Sequence, residues 1–428
     1  MATVAYKCPN CASPLTYDGN TGKMICAACD SQFDQQAIEA LNAPEDSGVV
    51  DFVTPTEEYS ASDAAQMQAY HCKSCGAELV TEGTTTATEC PYCGSPTILP
   101  DRIDGGIRPE MVVPFVITKD QAQKAFEDYF KGKKLLPNIF KKDNRIAEMR
   151  KLFVPYWLFD CDAEGDITYN AEKRRTQRTG EWEVTTTEYY VVRRAGSMHF
   201  ENIPVDGSEK MDDKITESLE PYDLTKAVPF QPTVLSGAMA DHADVDAVEC
   251  ETRAILRVEN SMINSLRNTV TGYDSVRVRS KNISSTGGKV TPVLMPVWLI
   301  TTKKEDKVYT FAINGQTGQL TCNVPTDKGK AFLWGAGAFA GVFGMAALVL
   351  YLLKMLGSGT LLIAGIAALI AALVVVGVLI GQLKQASSKS SAEGYSSGGC
   401  KLDVEYDHYL YSKTTRRKIE TQNKEASA

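Results

Sequence analysis

Ala331–Leu353 reads AFLWGAGAFAGVFGMAALVLYLL, and Thr360–Leu383 reads TLLIAGIAALIAALVVVGVLIGQL. Neither run holds a charged residue, and each exceeds the ~20 apolar residues that a helix needs to cross a bilayer. Only Lys354-Met-Leu-Gly-Ser-Gly359 separates them, so the two helices must run antiparallel. An ordinary soluble domain rarely hides two such helices. The pattern therefore predicts a transmembrane hairpin over 331–383, with spans 331–353 and 360–383.

A hairpin returns the chain to the side it left, so residues 1–330 and 384–428 share one compartment. Lys328 and Lys330 precede the first span, Lys384 and Lys389 follow the second, and the turn carries Lys354 alone. Positive residues favour the cytoplasmic side, which places both termini and the bulk of the chain at the cytoplasmic face of a cell (inner) membrane. Trp334 and Tyr351 fall near opposite ends of the first span, where amphipathic rings anchor at the interface. Gly337/Gly341 and Gly377/Gly381 place small residues one turn apart, suiting close packing within the hairpin.

The remainder divides unevenly by charge. The chain has 428 residues and a net charge of −8; residues 1–110 hold 5 Lys/Arg against 16 Asp/Glu and carry most of the imbalance. Nothing in MATVAYKCPNC resembles the apolar region of a signal peptide, so the domains before the hairpin are expected to fold in the cytosol.

Eight of the twelve cysteines form two quartets: Cys8, Cys11, Cys26, Cys29 and Cys72, Cys75, Cys90, Cys93. Each quartet is C-x2-C-x14-C-x2-C. Such spacing lets two thiolates from one tight turn and two from another surround one tetrahedral ion, with Zn–S near 2.3 Å. Proline inside the knuckles (Cys8-Pro-Asn-Cys11, Cys90-Pro-Tyr-Cys93) and glycine after them (Gly76, Gly94) suit the turn. We expect two zinc ribbons, at 1–33 and 70–100, holding two structural Zn2+ ions. Iron in a rubredoxin-like site has the same geometry. Disulfides need an oxidising compartment, which the topology opposes. A site closed by four protein ligands leaves no open position for chemistry. His71 adjoins a complete quartet and is expected on a surface strand.

Zinc ribbons often bind nucleic acid, but charge opposes that here. Lys7, Lys23, Lys73, Arg102 and Arg108 are the only cations in 110 residues, and phosphate contacts need them clustered. Residues 34–69, acidic and interrupted by Pro44 and Pro55, are expected to form a linker, with a short helix over Gln35–Leu41.

Residues 111–327 are expected to form an α+β domain. Lys119–Phe130 and Val245–Leu266 have helical spacing, and Phe153–Phe159, Trp182–Val192, 275–283, 290–302 and 307–313 look like strands. Asn314-Gly315 is a hairpin turn signal. An internal echo, Val113-Pro-Phe115 before Pro155-Tyr-Trp157 and Val228-Pro-Phe230 before Pro296-Val-Trp298, suggests two similar halves. No Walker A loop, G-x-S-x-G or HExxH occurs, and His199 and His242 stand far apart in sequence, so no enzyme activity is expected. Asp241-His242-Ala-Asp244-Val-Asp246 is most simply a helix start. Cys161, Cys250, Cys322 and Cys400 are expected as free thiols. Lys173, Arg174, Arg175 and Arg178 form a basic patch, expected on a solvated loop. In the tail, Gln385–Gly399 is Ser/Gly-rich and expected to be flexible, and Leu402–Ile419 mixes tyrosines with cations.

CPYCGSP at 90–96, PYDLTKAVPFQPTVLSGAMADHADVD at 221–246, VLMPVWLI at 293–300 and YTFAINGQTGQL at 309–320, followed by the apolar hairpin, resemble bacterial membrane-anchored TFIIB-type zinc-ribbon proteins of the YdjG type. Some members carry a primosomal or helicase-like label, for which this chain has no motif. The resemblance implies a membrane anchor that binds a cytoplasmic SPFH-domain or phage-shock-type partner. The expectation is thus a multidomain, non-enzymatic scaffold at the bilayer; a membrane-tethered nucleic-acid-binding protein is the alternative.

Overall fold

The structure is a computed structural model that describes residues 6–9, 13–19, 21–41, 52–85, 87, 89–96, 98–101, 106–137, 149–304, 307–355, 357–383 and 386–418. The N-terminal unit is a three-stranded antiparallel sheet, β1 (Thr16–Asp18), β2 (Lys23–Ile25) and β3 (Gln32–Asp34), followed by helix α1 (Gln35–Leu41). A short helix α2 (Ala61–Ala64), capped by Ser60, leads into β4 (Met67–Cys72), β5 (Glu78–Glu82) and β6 (Ile98–Asp101). Then follow β7 (Met111–Val112), α3 (Lys119–Phe130), β8 (Arg150–Thr179), β9 (Trp182–Asp206), α4 (Asp213–Leu219), β10 (Val228–Pro229), β11 (Met239–Asp241), α5 (Ala247–Asn268), β12 (Ser275–Lys304), β13 (Lys307–Asn314) and β14 (Leu320–Cys322). The chain ends with α6 (Lys328–Leu352), α7 (Ser358–Gly381) and β15 (Ser396–Lys418).

One sheet organises most of the chain. β8 and β12 pair antiparallel along nearly their whole lengths, from Arg150↔Leu299 to Glu172↔Ser275, and β9 and β15 extend that ladder on the β8 side. The expected strands 275–283 and 290–302 are one: β12 runs on between them through a register shift between Gly287 and Val290. A bulge of this kind bends a strand without ending it. The basic residues Lys173, Arg174, Arg175 and Arg178 lie on β8 rather than on a loop, because β9 and β15 supply strand partners out to Trp182 and Lys418.

Two halves repeat one set of bonds. Met111 and Val112 run parallel to Val293 and Leu294, while Met239 and Ala240 run parallel to Leu152 and Phe153. Trp298 Nε1 donates to the Ile117 carbonyl at 3.3 Å, and Trp157 Nε1 donates to the Val245 carbonyl at 2.9 Å. Each acceptor immediately precedes a helix N-cap, Thr118 or Asp246. The Gly315 amide donates to Pro296 O and its carbonyl accepts from Val116 and Ile117; Gly207 does the same with Pro155, Asp244 and Val245. A local two-fold between β8 and β12 thus exchanges β7–α3–β8 with β11–α5–β12. The echo in the sequence is offset from this frame: Val228–Pro229 forms β10, which pairs with β7, while the counterpart of β7 is β11.

α5 covers one face of β8 and β9. Ala254, Val258, Met262 and Leu266 are buried against Ile167, Tyr169, Val192 and Phe200. Beside this core lies a buried ion pair. Arg257 donates to both carboxylate oxygens of Glu220, at 3.1 and 2.7 Å, and Tyr395 donates to the same group at 2.8 Å. Burying a charge pair is tolerable when the remaining lone pairs are filled in this way.

The Ser/Gly-rich segment after α7 is docked rather than loose. Asn260 Nδ2 donates to Ser390 O, the Ala392 amide donates to Ser261 Oγ, and the Lys389 amide donates to Glu217 Oε2. Backbone bonds of this kind leave no trace in composition, which explains the departure from the expected flexible tail. The described part of the expected linker is docked too: Phe52 packs edge-on against Phe159 at 5.1 Å, and Asp63 pairs with Arg108 at 3.1 Å. Pro44 and Arg102 lie outside the described residues.

α6 and α7 pair with each other, burying Ala364, Ala368 and Ala372. Their outer apolar side chains are left uncovered by the other described residues; Leu333 is 69% and Ile363 67% exposed. At the base, Ala331, Leu379 and Leu383 pack against the α3–β13 core, Lys330 Nζ donates to Leu136 O at 2.5 Å, and Lys134 lies over the Trp334 ring at 4.0 Å.

Candidate metal centres

The cysteines meet because the knuckles share one backbone geometry. The amides of Cys8, Cys26, Cys72 and Cys90 donate to the carbonyl five residues on, at Ser13, Ser31, Ala77 and Ser95. The carbonyls of Cys26, Cys72 and Cys90 accept from the amide four residues on, at Asp30, Gly76 and Gly94. That residue must turn left-handed: φ is +55° at Asp30, +74° at Gly76 and +68° at Gly94. Glycine takes this conformation without strain, and aspartate is among the few other residues that tolerate it. Asp30 stands where glycine stands in the second quartet, which the C-x2-C pattern alone did not distinguish.

The second quartet is complete. The sulfur atoms of Cys72, Cys75, Cys90 and Cys93 all lie within 4.8 Å of one another, with Cys72–Cys93 at 3.7 Å and Cys75–Cys90 at 3.6 Å. Four thiolates around one ion at about 2.3 Å would stand about 3.8 Å apart, whereas a disulfide would bring two sulfurs to about 2.0 Å. Of the first quartet, Cys8, Cys26 and Cys29 converge in the same way, with Cys8–Cys29 at 3.6 Å; Cys11 lies outside the described residues. Both groups could hold a metal ion.

Burial perturbs the thiols of the second cluster. Burial pushes the Cys75 thiol up to about 11, and it pushes Cys90 up as well. At Cys72 burial also acts upward, but the amides of Cys75 and Ser74 together with the Cys75 and Cys93 thiols leave the thiol below its usual value. Like charges this close repel, so such thiols would ionise together only if a cation such as a bound metal ion stood among them.

The second cluster is built into the sheet. β5 pairs with β11 (Val80↔Ala240) and β11 with β8, so β4–β6 continue the central sheet rather than form a separate bead. Cys72 and Cys90 share a core with Tyr156, Leu158, Met295 and Val297. Arg150 donates to Cys90 O at 3.2 Å and pairs with Glu89. Tyr92, inside the Cys90–Cys93 knuckle, donates to Asp241 Oδ2 at 2.5 Å, and Ser208 donates to the same oxygen. Complete burial pushes the Asp241 carboxyl up to about 7, against the lowering effect of those two hydroxyls. This link was missed in the sequence; the one signal was an aspartate closing an apolar strand.

The first cluster is self-contained by contrast. Cys8 and Cys26 pack with Leu15, Met24, Phe33, Ala37 and Ile38, and among the described residues Val191 and the tail residues Tyr406, Leu410 and Tyr411 join this apolar cluster from the main body.

Other sequence candidates fall elsewhere. Asp246 caps α5, accepting from the Glu249 amide, and Asp244 accepts from the Glu209 amide. His71 lies on β4, 4.0 Å from Glu78. His199 is not isolated: it bonds Asp162 at 2.7 Å, which raises its pKa. Cys161 and Cys250 are buried in the α5 core and Cys322 meets the Tyr129 hydroxyl at 3.1 Å; with Cys400, they lie apart from both clusters.

These features define a class: an α+β protein with paired cysteine clusters and two helices long and apolar enough to cross a membrane. No family model and no solved structure matches the chain. It is 33% identical over 358 residues to the uncharacterized protein YdjG of Bacillus subtilis (strain 168), an alignment spanning 83% of this chain and 99% of that relative. The chain belongs to the YdjG family.

Proposed function

We propose that this protein is a non-enzymatic scaffold anchored in the cell membrane by the α6–α7 hairpin, with two structural zinc ions and protein-binding surfaces on the cytoplasmic side. The zinc ribbons use Cys8, Cys11, Cys26 and Cys29, and Cys72, Cys75, Cys90 and Cys93. The observation that carries the reading is the hairpin. Its apolar faces are bare, while Lys133, Lys134, Lys328 and Lys330 gather at its base and Lys354 stands alone at its tip. Water does not tolerate an apolar surface of that extent on a monomer, and the lysine asymmetry supports a cytoplasmic base. The all-thiolate donor sets suit zinc, and four ligands close the site to substrate. The partner class that the family resemblance points to is an SPFH-domain or phage-shock-type protein. Carbonate washing of membranes, followed by affinity purification in detergent, tests the whole. The full chain should stay in the membrane fraction and recover a protein partner in fixed proportion; release by carbonate, or recovery of the chain alone, would refute it.

A further inference from the structure

A cavity of about 460 Å3 opens between the segment after β5, the start of α3 and the start of β8. Met239 and Trp298 supply apolar wall, Lys119, Arg150 and Lys151 supply charge, and Glu89 is the one carboxylate among its lining residues. Arg150 is already engaged by Glu89 and Cys90 O. The two lysines are not: among the described residues neither has a carboxylate within 4.0 Å, and Lys151 rests over the Phe115 and Trp298 rings at 5.2 and 5.5 Å. In a chain of net charge −8, two cations beside an apolar wall with no carboxylate partner among the described residues need a reason.

The other half of the domain serves as a control. Across the local two-fold Trp298 corresponds to Trp157, Lys119 to Ala247, Met149 to Val290, and Lys151 to Pro292. Trp157, Ala247 and Val290 are buried in one core together with Phe52. The same frame is therefore closed and apolar in one half, open and cationic in the other. Packing alone does not call for lysines there.

We propose that this cavity binds a small organic anion, one with a phosphate or carboxylate beside an aromatic or alkyl portion, through Lys119, Lys151, Met239 and Trp298. Its volume lies within the usual range for small-molecule sites. The anion could come from a soluble compound or from a lipid headgroup, so the test carries both. The full chain in neutral detergent micelles is titrated calorimetrically with phenyl phosphate, phenol and dihexanoyl phosphatidate. Phenyl phosphate or the phosphatidate should bind saturably at one site, weaken as salt screens the lysines, and bind the Lys119→Gln/Lys151→Gln variant at least tenfold more weakly. Tighter phosphatidate binding would support the site with a headgroup as its source, and tighter phenyl phosphate binding would support it with a soluble source. Should the double variant lose metal or melt early, Lys119→Gln alone, on an exposed position, should still weaken binding about threefold. Binding of phenol as tight as phenyl phosphate, no saturable binding of either anion, or unchanged affinity in the variants would overturn the proposal.

Discussion

Cys26 and Cys90 hold the same place in two copies of one spacing, yet their surroundings differ. Cys26 sits in a small sheet of its own, whose apolar cluster is joined from the body, among the described residues, by Val191 of β9 and a few tail side chains. Cys90 sits in the central core; its carbonyl is held by Arg150, and its knuckle is bolted to Asp241 through Tyr92. The same ligand pattern can therefore be an appendage in one place and part of the fold in another, and what decides is long-range strand pairing rather than the cysteines.

The sharpest way to break this contrast is to remove one ligand from each cluster. Binding of a structural zinc is worth about 10–16 kcal/mol in small metal-folded units, comparable to the whole stability of a typical domain. Cys90→Ser should therefore abolish cooperative unfolding of the β8–β12 core, seen as lost hydrogen-exchange protection in β4, β5 and β11. Cys26→Ser should lose one metal equivalent yet leave core protection within about 1 kcal/mol of the parent, the scale of an ordinary surface-distant change.

Tyrosines give a second, smaller contrast. Tyr92→Phe leaves buried Asp241 short of one donor, and should cost about 1–3 kcal/mol in denaturant unfolding. Asp241 itself adds a pH signature. Its folded pKa, about 7, lies above the ordinary carboxylate value, so the folded state holds the proton longer than the unfolded chain. Stability should then fall as pH rises from about 4 to about 7 and level off above, because the folded state binds more protons in that window. Between pH 6 and 8, where acid stripping of thiolates interferes least, the parent should lose about 1 kcal/mol and Asp241→Asn should not. The smallest effect is expected at the first cluster. The Tyr406 hydroxyl is buried with no partner among the described residues, so Tyr406→Phe should be neutral or slightly stabilising.

Much of this was legible in the sequence wherever the signal is local. The apolar runs give the hairpin to within a few residues, and the C-x2-C spacing brings together every cysteine of the clusters that the structure describes. The helix over Lys119–Phe130 matches its spacing, and Asp246 caps α5 as its acidic run suggested. What could not be read depends on distant partners. Residues 284–289 look like a gap between two strands because nothing nearby says that Glu164 to Cys161 and then Phe159 will pair across it. Lys173–Arg178 looks like a loop because its strand partners lie at 183–188 and, beyond them, in the tail at 412–417. The serines of 386–391 look flexible because their bonds are made mainly by backbone groups to α4 and α5. The union of the second cluster with the sheet rests on the pairings of Leu79 and Val80 with Asp241 and Ala240, 160 or so residues away.

One measurement bears most directly on the account: metal content and hydrogen exchange followed together while a chelator is titrated into the full chain in detergent. Two zinc ions per chain are predicted at the start. The first should leave with exchange rising only in residues 6–41, and the second only as protection collapses through β4, β5 and β11. A chain that holds no zinc, or one that gives up both ions while those strands stay protected, would contradict it.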